Sequence, residues 1–436
     1  MPKRPLFTGA RAVLVGSLLG LLGFGCAHQG PATPATPATG PVTQFEMEPI
    51  KITAVSDQDG THIEAFDAAE LFEQGGKALG EKRYDDALAA YDRLLKEFED
   101  GRYTKSALYN AGLALQGKKD YAGAIERFKL LAQRYPDSSD SKDALFQLGA
   151  TLAETGNWPA SAQTFSQILE RKDLTADDRL EAMGRRGFAQ FQLKDLDTAE
   201  RTFRSGVAYF HQIEREERLE TDFFLALCLY HLGEISHERF RAVALRLPDT
   251  QMSADLDEKA RLLLQSQRAY IDTMKLGNPE WAAASGFQVG ALYEELFDSF
   301  IHAPVPSDLL KNEAREKREV YYEELRKKIR VLLEKSSHWY DENLKMMERL
   351  GVRGEWREKS KLAYSKVQQL LDPSYRVEFQ PPGSPTAGTP GAAPPVPMAP
   401  NRSVGGEDSG INNEGAPAEP RPSRTRTGTE PMRQIL

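Results

Sequence analysis

Hydrophobic and polar positions follow a helical period between Ser106 and Pro136. Large side chains recur on one face of each predicted helix, at Leu108, Leu115, Tyr121, Phe128 and Leu131. Small residues at Ala111, Gly112 and Ala124 would let two helix backbones approach closely. The polar turn Gly117–Asp120 separates the two periods, and Pro136 cannot continue the second helix. The pattern predicts a helical hairpin with an apolar face that it cannot bury alone.

The same pattern recurs along the chain and predicts a stack of hairpins. Equivalent glycines lie 37, 37 and 38 residues apart, at Gly75, Gly112, Gly149 and Gly187, and a weaker copy contains Gly233. This arrangement resembles the tetratricopeptide repeat, whose period is usually ~34 residues. The predicted fold class is therefore all-α, with a solenoid of tetratricopeptide-type helical hairpins over residues 67–250 and a C-terminal helical region with long helices over 251–373.

Helical periodicity continues after the repeat spacing fades. It predicts helices over Glu258–Met274, Trp281–Ile301, Leu309–Leu350 and Trp356–Leu371. The third of these could protrude as a coiled coil. We expect it to fold back on the solenoid instead, because the end of a repeat stack must be covered. Its buried side would then comprise Leu325, Ile329, Leu332, Leu333, Trp339 and Tyr340.

The beginning of the chain reads as an export signal. Residues 1–25 carry early basic residues and then a short apolar run, typical of a secretory leader. Cys26 follows, and the junction resembles a bacterial lipobox, which implies that Cys26 is lipidated. A plain leader cleaved nearby is the alternative. Because Ala27 is not the aspartate of inner-membrane retention, the resemblance implies an outer-membrane anchor facing the periplasm.

Two segments read as unstructured. Residues 26–66 are expected to form a flexible linker, with the β-like run Ile50–Val55 either extended or docked on the repeats. Residues 374–436 are rich in proline and glycine and poor in aromatics, which predicts a disordered tail. The net charge of −8 argues against a general affinity for nucleic acid.

Candidate chemistry is sparse. Cys228, His231 and His237 could suggest a metal site, but no further ligand completes a recognisable set, so we expect a packed cysteine and two surface histidines. The chain has no phosphate-binding glycine loop, nucleophile elbow or paired-histidine zinc motif. The sequence therefore predicts no enzyme activity, no cofactor and no metal. The rival interpretation is an enzyme formed by Glu258–Leu371, acting on peptidoglycan.

The repeat resemblance also implies a binding groove on the inner face of the first helices. Carried over by offset, its lining is mostly aromatic: Phe72, Tyr109, Leu113, Phe146, Phe188, Phe191, Phe223, Leu227 and Tyr230. Exposed aromatics would anchor an apolar helix or strand of a partner. The alternative is that many of these side chains pack against neighbouring hairpins.

Taken together, these patterns predict a non-enzymatic scaffold that is lipid-anchored in the outer membrane and assembles or stabilises a cell-envelope complex. The continuation after the repeats, from Asn278 to Gly354, resembles the repeat lipoprotein of the myxobacterial adventurous gliding machinery, which implies a role in gliding motility. The β-barrel assembly lipoprotein and the pilus pilotin are alternatives. Expected partners are other envelope proteins and the membrane, with no nucleic acid and no small-molecule substrate.

Overall fold

The computed structural model describes residues 49–57, 60–214, 219 and 221–372. The predicted leader, Cys26, the tether that follows it and the predicted tail 374–436 lie outside the described residues. The described chain is almost entirely helical, as the sequence predicted, apart from one pair of strands near its start.

Thirteen α-helices occupy the described residues, and two short 3-10 helices, Ser307–Leu310 and Asn312–Ala314, precede the twelfth, which was predicted to begin at Leu309. The α-helices are α1 (Ala68–Gly80), α2 (Tyr84–Glu97), α3 (Thr104–Gly117), α4 (Tyr121–Arg134), α5 (Ser139–Glu154), α6 (Trp158–Leu169), α7 (Ala176–Gln192), α8 (Leu196–Ile213), α9 (Phe223–Ala242), α10 (Asp249–Lys275), α11 (Pro279–Ile301), α12 (Arg315–Leu350) and α13 (Glu355–Leu371). Side-chain caps at several helix starts explain where these helices begin. Asp67, for example, accepts a hydrogen bond from the backbone N–H of Glu70 at 2.8 Å.

The helices pack as six consecutive hairpins, α1 with α2 through to α11 with α12, and α13 lies against α11 and α12. The first helices of successive hairpins also contact one another, as α1 does with α3, α3 with α5, α7 with α9 and α9 with α11. This places the odd-numbered helices in the inner layer of a solenoid. Stacked hairpins of this kind bury a continuous core that no single hairpin could form.

A glycine beneath an aromatic ring closes every hairpin. A β-carbon on Gly112 would lie 2.5 Å from Phe128 Cε1, so only glycine allows the ring to lie flat on the backbone. Equivalent contacts join Gly75 to Tyr91, Gly149 to Phe165, Gly187 to Phe203, Gly233 to Tyr270 and Gly290 to Tyr340. Gly112 thus makes the close contact between helices that the sequence predicted, and Ala124, one turn before Phe128, is fully buried.

The last two hairpins use the same device with wider spacing. Four residues before each of their aromatic residues a serine donates to the glycine carbonyl: Ser266 Oγ to Gly233 O at 2.8 Å, and Ser336 Oγ to Gly290 O at 2.9 Å. The sequence predicted a domain boundary after residue 250, which is the second residue of α10. The repeat packing therefore continues into the region expected to be a separate helical domain.

Each later hairpin packs one apolar side against the hairpin before it. The first hairpin has no preceding hairpin among the described residues, and its corresponding side is polar. Glu70, Gln74 and Lys77 are exposed on α1. The equivalent positions of α3 are fully buried alanines that pack on the preceding hairpin: Ala107, Ala111 and Ala114. A polar outer face is what a terminal repeat needs for solubility.

Part of the predicted linker is a sheet. Strands β1 (Lys51–Asp57) and β2 (Gly60–Phe66) pair antiparallel, and Phe66 packs edge-on against Phe98 with ring centroids 6.1 Å apart. The run Ile50–Val55 is therefore docked on the repeats, the second of the two alternatives given above. It is held there because its partner strand carries Phe66, an apolar anchor that the sequence analysis did not identify.

The long helix α12 folds back along α11, as predicted. Ile329, Leu333 and Tyr340 are buried, while the other three predicted contact residues, Leu325, Leu332 and Trp339, are half-buried against the same cores. Within the part of the chain that the structure describes, no helix has the length and apolarity needed to span a bilayer.

Candidate functional site

The predicted groove aromatics are mostly core residues. Tyr109, Phe146, Phe191 and Tyr230 are 1%, 2%, 8% and 2% exposed, and Leu227 is buried as well. Their prediction as exposed anchors is wrong. The reason is local packing, since three of them lie close to the ring that closes a hairpin: Tyr109 tilts over Phe128 at 5.8 Å, Phe146 over Phe165 at 6.2 Å and Tyr230 over Tyr270 at 5.5 Å.

The remaining predicted groove residues are half-buried: Phe72, Leu113, Phe188 and Phe223. The three aromatic members are all in contact with another ring. Phe72 stacks on Tyr103 at 5.0 Å, Phe188 meets Trp158 edge-on at 5.7 Å, and Phe223 tilts against Trp281 at 5.5 Å. These rings connect elements along the solenoid, and each offers only part of its surface to a partner.

A different line of residues is accessible on the inner layer. Counted from the hairpin glycine, the positions six and two residues before it and one residue after it lie on one helical face. On α1, α3, α5 and α7 most of these positions are partly or fully exposed, although Gln147 and Glu181 are buried. We call the following accessible residues the inner strip: Glu73, Ser106, Asn110, Leu113, Asp143, Ala150, Arg185 and Phe188. Most are polar or small.

Bonds between hairpins and within helices hold the strip in register. Ser106 Oγ donates to Asp140 Oδ1 at 3.2 Å, which links α3 to α5, and Gln116 Nε2 donates to Thr151 Oγ1 at 2.7 Å. On α7, Arg185 Nε donates to Glu181 Oε1 at 2.8 Å. Ser106 and Arg185 are therefore held in place before any partner binds, which reduces the entropy lost on binding.

The strip ends at α9, because the same positions on that helix are buried. Leu227, His231 and Glu234 are 7%, 1% and 5% exposed. His231 lies among the rings of Phe188, Phe191, Phe203, Tyr230 and Trp281. Neither of its ring nitrogens has a hydrogen-bond partner, and burial lowers its pKa to about 3.

A buried polar network joins α9, α10 and α11 next to this point. Tyr270 Oη donates to Glu234 Oε1 at 2.5 Å, and His237 lies between Tyr270 Oη at 3.3 Å and Glu295 Oε2 at 3.1 Å. Arg241 donates to both oxygens of Glu295 at 2.8 Å. Burial raises the pKa of Glu234. Burial opposes the charge on Glu295 too, but the bonds from His237 and Arg241 lower its pKa to about 2.

These acids are engaged in packing contacts rather than gathered around an open site. The neighbouring Glu294 accepts from Tyr340 Oη at 3.0 Å and from Lys366 Nζ at 2.5 Å, which ties α11 to α12 and α13. Each carboxylate thus connects helices of the last hairpins. The network can stabilise the C-terminal end of the solenoid and fix its helix order.

The three residues weighed as a metal site face different neighbours. Cys228 is fully buried beside Gly206, with a pKa that burial raises to about 12, while His231 and His237 face the ring cluster and the network described above. The two histidines were expected at the surface and are buried instead, at 1% and 0% exposure. Among the described residues, no three histidine, cysteine or acidic side chains group in a way that could hold a metal ion.

Comparison with known proteins supports this architecture. Residues 72–139 match the family model of the tetratricopeptide repeat. The hairpins are tetratricopeptide-like repeats. The matched stretch begins in α1 and ends at the first residue of α5, so it covers the first two hairpins of the tetratricopeptide-like solenoid. No curated protein sequence matches the chain.

Several solved structures resemble parts of the tetratricopeptide-like solenoid. MamA from Desulfovibrio magneticus RS-1 shares 15% identity, covering 46% of this chain and 96% of its own, with a TM-score of 0.32. A tetratricopeptide repeat protein from Parabacteroides merdae shares 13%, covering 69% and 98%, with a TM-score of 0.33. YrrB, described as having an unusual peptide-binding site, shares 18%, covering 48% and 90%, with a TM-score of 0.32.

The sequence interpretation included two residues of the inner strip, Leu113 and Phe188, but at Tyr109 and Phe146 it missed the accessible face by about one residue. Asn110 and Arg185 lie two positions before their glycines, whereas the predicted Tyr109 and Phe146 lie three positions before theirs. That offset rotates a side chain by about 100° around a helix. Reading polar residues as well as aromatic ones at the 37-residue interval would have found the strip.

Proposed function

We propose that this chain is a non-enzymatic scaffold that holds a segment of another protein along the inner strip. The observation that supports this is the strip itself: polar and small side chains from four successive inner helices, of which Ser106 and Arg185 are fixed by hydrogen bonds between and within hairpins. Tetratricopeptide repeats act as protein-interaction scaffolds, and stacked repeats create extended binding surfaces.

The inner strip changes the kind of partner segment that we expect to bind. A row of aromatic anchors would suit an apolar helix, but the accessible residues are mainly hydrogen-bonding ones such as Asn110 and Asp143. A partner segment with polar side chains or free backbone groups fits this surface better, and Leu113 and Phe188 supply the apolar contacts. We therefore assign to the strip a polar peptide segment with one or two apolar side chains.

We also propose that the scaffold is a lipoprotein, anchored through Cys26 to the outer membrane and facing the periplasm. The short apolar run before Cys26 and the proline-rich tether after it support this placement. There it would assemble or stabilise a cell-envelope complex. The gliding machinery is the candidate that the sequence resemblance favours, with β-barrel and pilus assembly as alternatives.

Affinity purification from solubilised envelopes tests the binding claim. The variant Ser106→Arg/Ala150→Arg places two long cations on the strip without touching a hairpin glycine. The matched control Ala122→Arg/Gln163→Arg adds the same groups to exposed positions of α4 and α6. We expect the wild type and the control to co-purify the same partner, identified by mass spectrometry, and the strip variant to lose it. Equal recovery with the strip variant would contradict the proposal.

A separate experiment tests the anchor. Mass spectrometry of the mature protein should find acyl chains on an N-terminal Cys26, and Cys26→Ser should move the protein from the membrane to the soluble periplasmic fraction. A substituted protein that still sediments with the outer membrane would show that lipid does not hold it there.

A further inference from the structure

The β1–β2 sheet is amphipathic, and its apolar face is turned to solvent. Ile52 pairs with Ala65 and Ala54 with Ile63, so these four side chains share one face, together with Ile50. Ile50, Ile52 and Ile63 are 57%, 69% and 75% exposed, and both alanines are exposed. We call these five residues the isoleucine face.

Contacts with α2 hold the opposite face of the sheet. Arg93 lies 3.8 Å from the centre of the Phe66 ring and donates to Glu64 at 2.7 Å. Lys51 Nζ donates to Glu97 Oε2 at 3.4 Å. A two-stranded sheet is only marginally stable by itself, so these contacts fix its orientation. The sheet cannot turn over to bury its isoleucines, and the isoleucine face stays outward.

The isoleucine face differs from ordinary exposed hydrophobics. Leu362 is as exposed as Ile63, at 75%, but it stands on α13 next to Lys361, which pairs with Glu358. Isolated apolar side chains of that kind are common on protein surfaces, whereas a contiguous charge-free apolar patch marks an interaction site. We therefore expect another surface to cover the isoleucine face.

A second copy of the chain is a poor occupant. The face exposes on the order of 400 Å² per copy, so two copies would bury less than the ~1,200 Å² of a stable interface. A weak apolar contact becomes effective when the two surfaces are already tethered, because tethering raises their effective concentration. The segment that leads into the sheet provides such a tether if Cys26 is anchored.

We propose that the isoleucine face rests on the lipid bilayer to which the chain is anchored; this inference rests on the anchoring of Cys26 proposed above. The 22 residues between Cys26 and Pro49 span at most about 75 Å, and the sheet is the first described element after them. The face has no charge, and the nearby Lys51 is paired with Glu97. Contact is therefore apolar, independent of lipid charge and insensitive to salt.

An environment-sensitive label on the sheet tests this contact directly. The mature chain from residue 26, with Cys26→Ser and an N-terminal hexahistidine tag, is held on phosphatidylcholine vesicles by nickel-chelating lipid. Nitrobenzoxadiazole is attached at Ile63→Cys or, as the matched control, at Leu362→Cys. Cys228 is fully buried and its pKa is raised to about 12, so the reagent reacts with the introduced thiol.

We expect a blue shift and quenching by brominated lipid at position 63, unchanged in 0.5 M salt and in vesicles with added anionic lipid, and neither effect at position 362. Adding Ile52→Ser should abolish the shift at position 63. No shift at position 63 would overturn the proposal. So would a shift without vesicles that grows with protein concentration, which would assign the face to a second copy. Because nickel lipid replaces the natural anchor, these outcomes do not depend on whether Cys26 is acylated.

Discussion

The ring of Tyr340 occupies the space that a β-carbon on Gly290 would fill, as the ring of Phe128 does at Gly112. In both pairs the nearest ring carbon lies 2.5 Å from the position that a β-carbon would take. The partners are 50 residues apart in the first pair and 16 in the second. The sixth hairpin is thus closed by the same contact as the second, although its helices are much longer.

Adding one methyl group at either glycine should destabilise the fold. For Gly290→Ala and Gly112→Ala we expect the free energy of unfolding to fall by about 1–3 kcal/mol, because the ring must shift in a packed core. Gly80→Ala is the control, since nothing lies within 4 Å of its added carbon. Chemical denaturation of the three variants measures the effect, and equal losses would contradict the packing.

The first four hairpins could be predicted because their glycine and aromatic residues keep one spacing. Gly75 and Tyr91, like Gly187 and Phe203, are 16 residues apart. The fifth hairpin was predicted only as a weaker copy at Gly233, and the sixth was not predicted as a repeat, because α9 to α12 are longer and separate Gly233 from Tyr270 by 37 residues. The sequence feature that could have identified these two hairpins is a serine four residues before the aromatic residue, at Ser266 and Ser336.

Exposure was harder to predict than fold. Tyr109 and Phe146 lie on the first helices at helical spacing, which fits a groove position and a core position equally well. Whether such a residue lies in the groove or in the core depends on the position of the aromatic ring on the following helix. The local sequence around the residue does not contain that information. The docking of β2 through Phe66 depends on Arg93 and Phe98, which are distant in sequence.

Truncating the buried groove candidates should therefore damage the fold. Phe146→Ala should cost about 3–5 kcal/mol of stability, because it opens a cavity against Phe165. Phe188→Ala, at a half-buried ring, should cost less. Thermal unfolding followed by circular dichroism compares the two, and an unchanged melting temperature for Phe146→Ala would show that this side chain is not part of the core.

The histidine in the aromatic cluster predicts a loss of stability in acid. The pKa of His231 is lowered to about 3 by burial, so the unfolded chain binds a proton on this residue as pH falls below about 6.5, and the folded chain does not. Between pH 7 and pH 5 the wild type should lose up to about 2 kcal/mol more than His231→Phe. A wild-type slope retained by His231→Phe would contradict this assignment.

The ion pair between Arg241 and Glu295 should be far more sensitive than a surface pair. Arg241→Met removes two hydrogen bonds from the largely buried Glu295 carboxylate and should cost about 3–5 kcal/mol. The double variant Arg241→Met/Glu295→Leu should recover much of that loss. Lys361→Met breaks an exposed pair with Glu358 and should cost far less, because solvent screens such a pair. A double-mutant cycle measured by denaturation checks both, and an additive result for the buried pair would contradict the network.

The central claim is that a partner lies along the inner strip, and site-specific photo-crosslinking in living cells tests it most directly. A benzoylphenylalanine placed at Ala150, between the hairpin glycine of α5 and its C-terminal turn, should give a discrete crosslinked product with an envelope protein. The same residue at exposed Ala122 on the outer helix α4 should give none. Crosslinks of equal yield from both positions, or from Ala122 alone, would contradict the account.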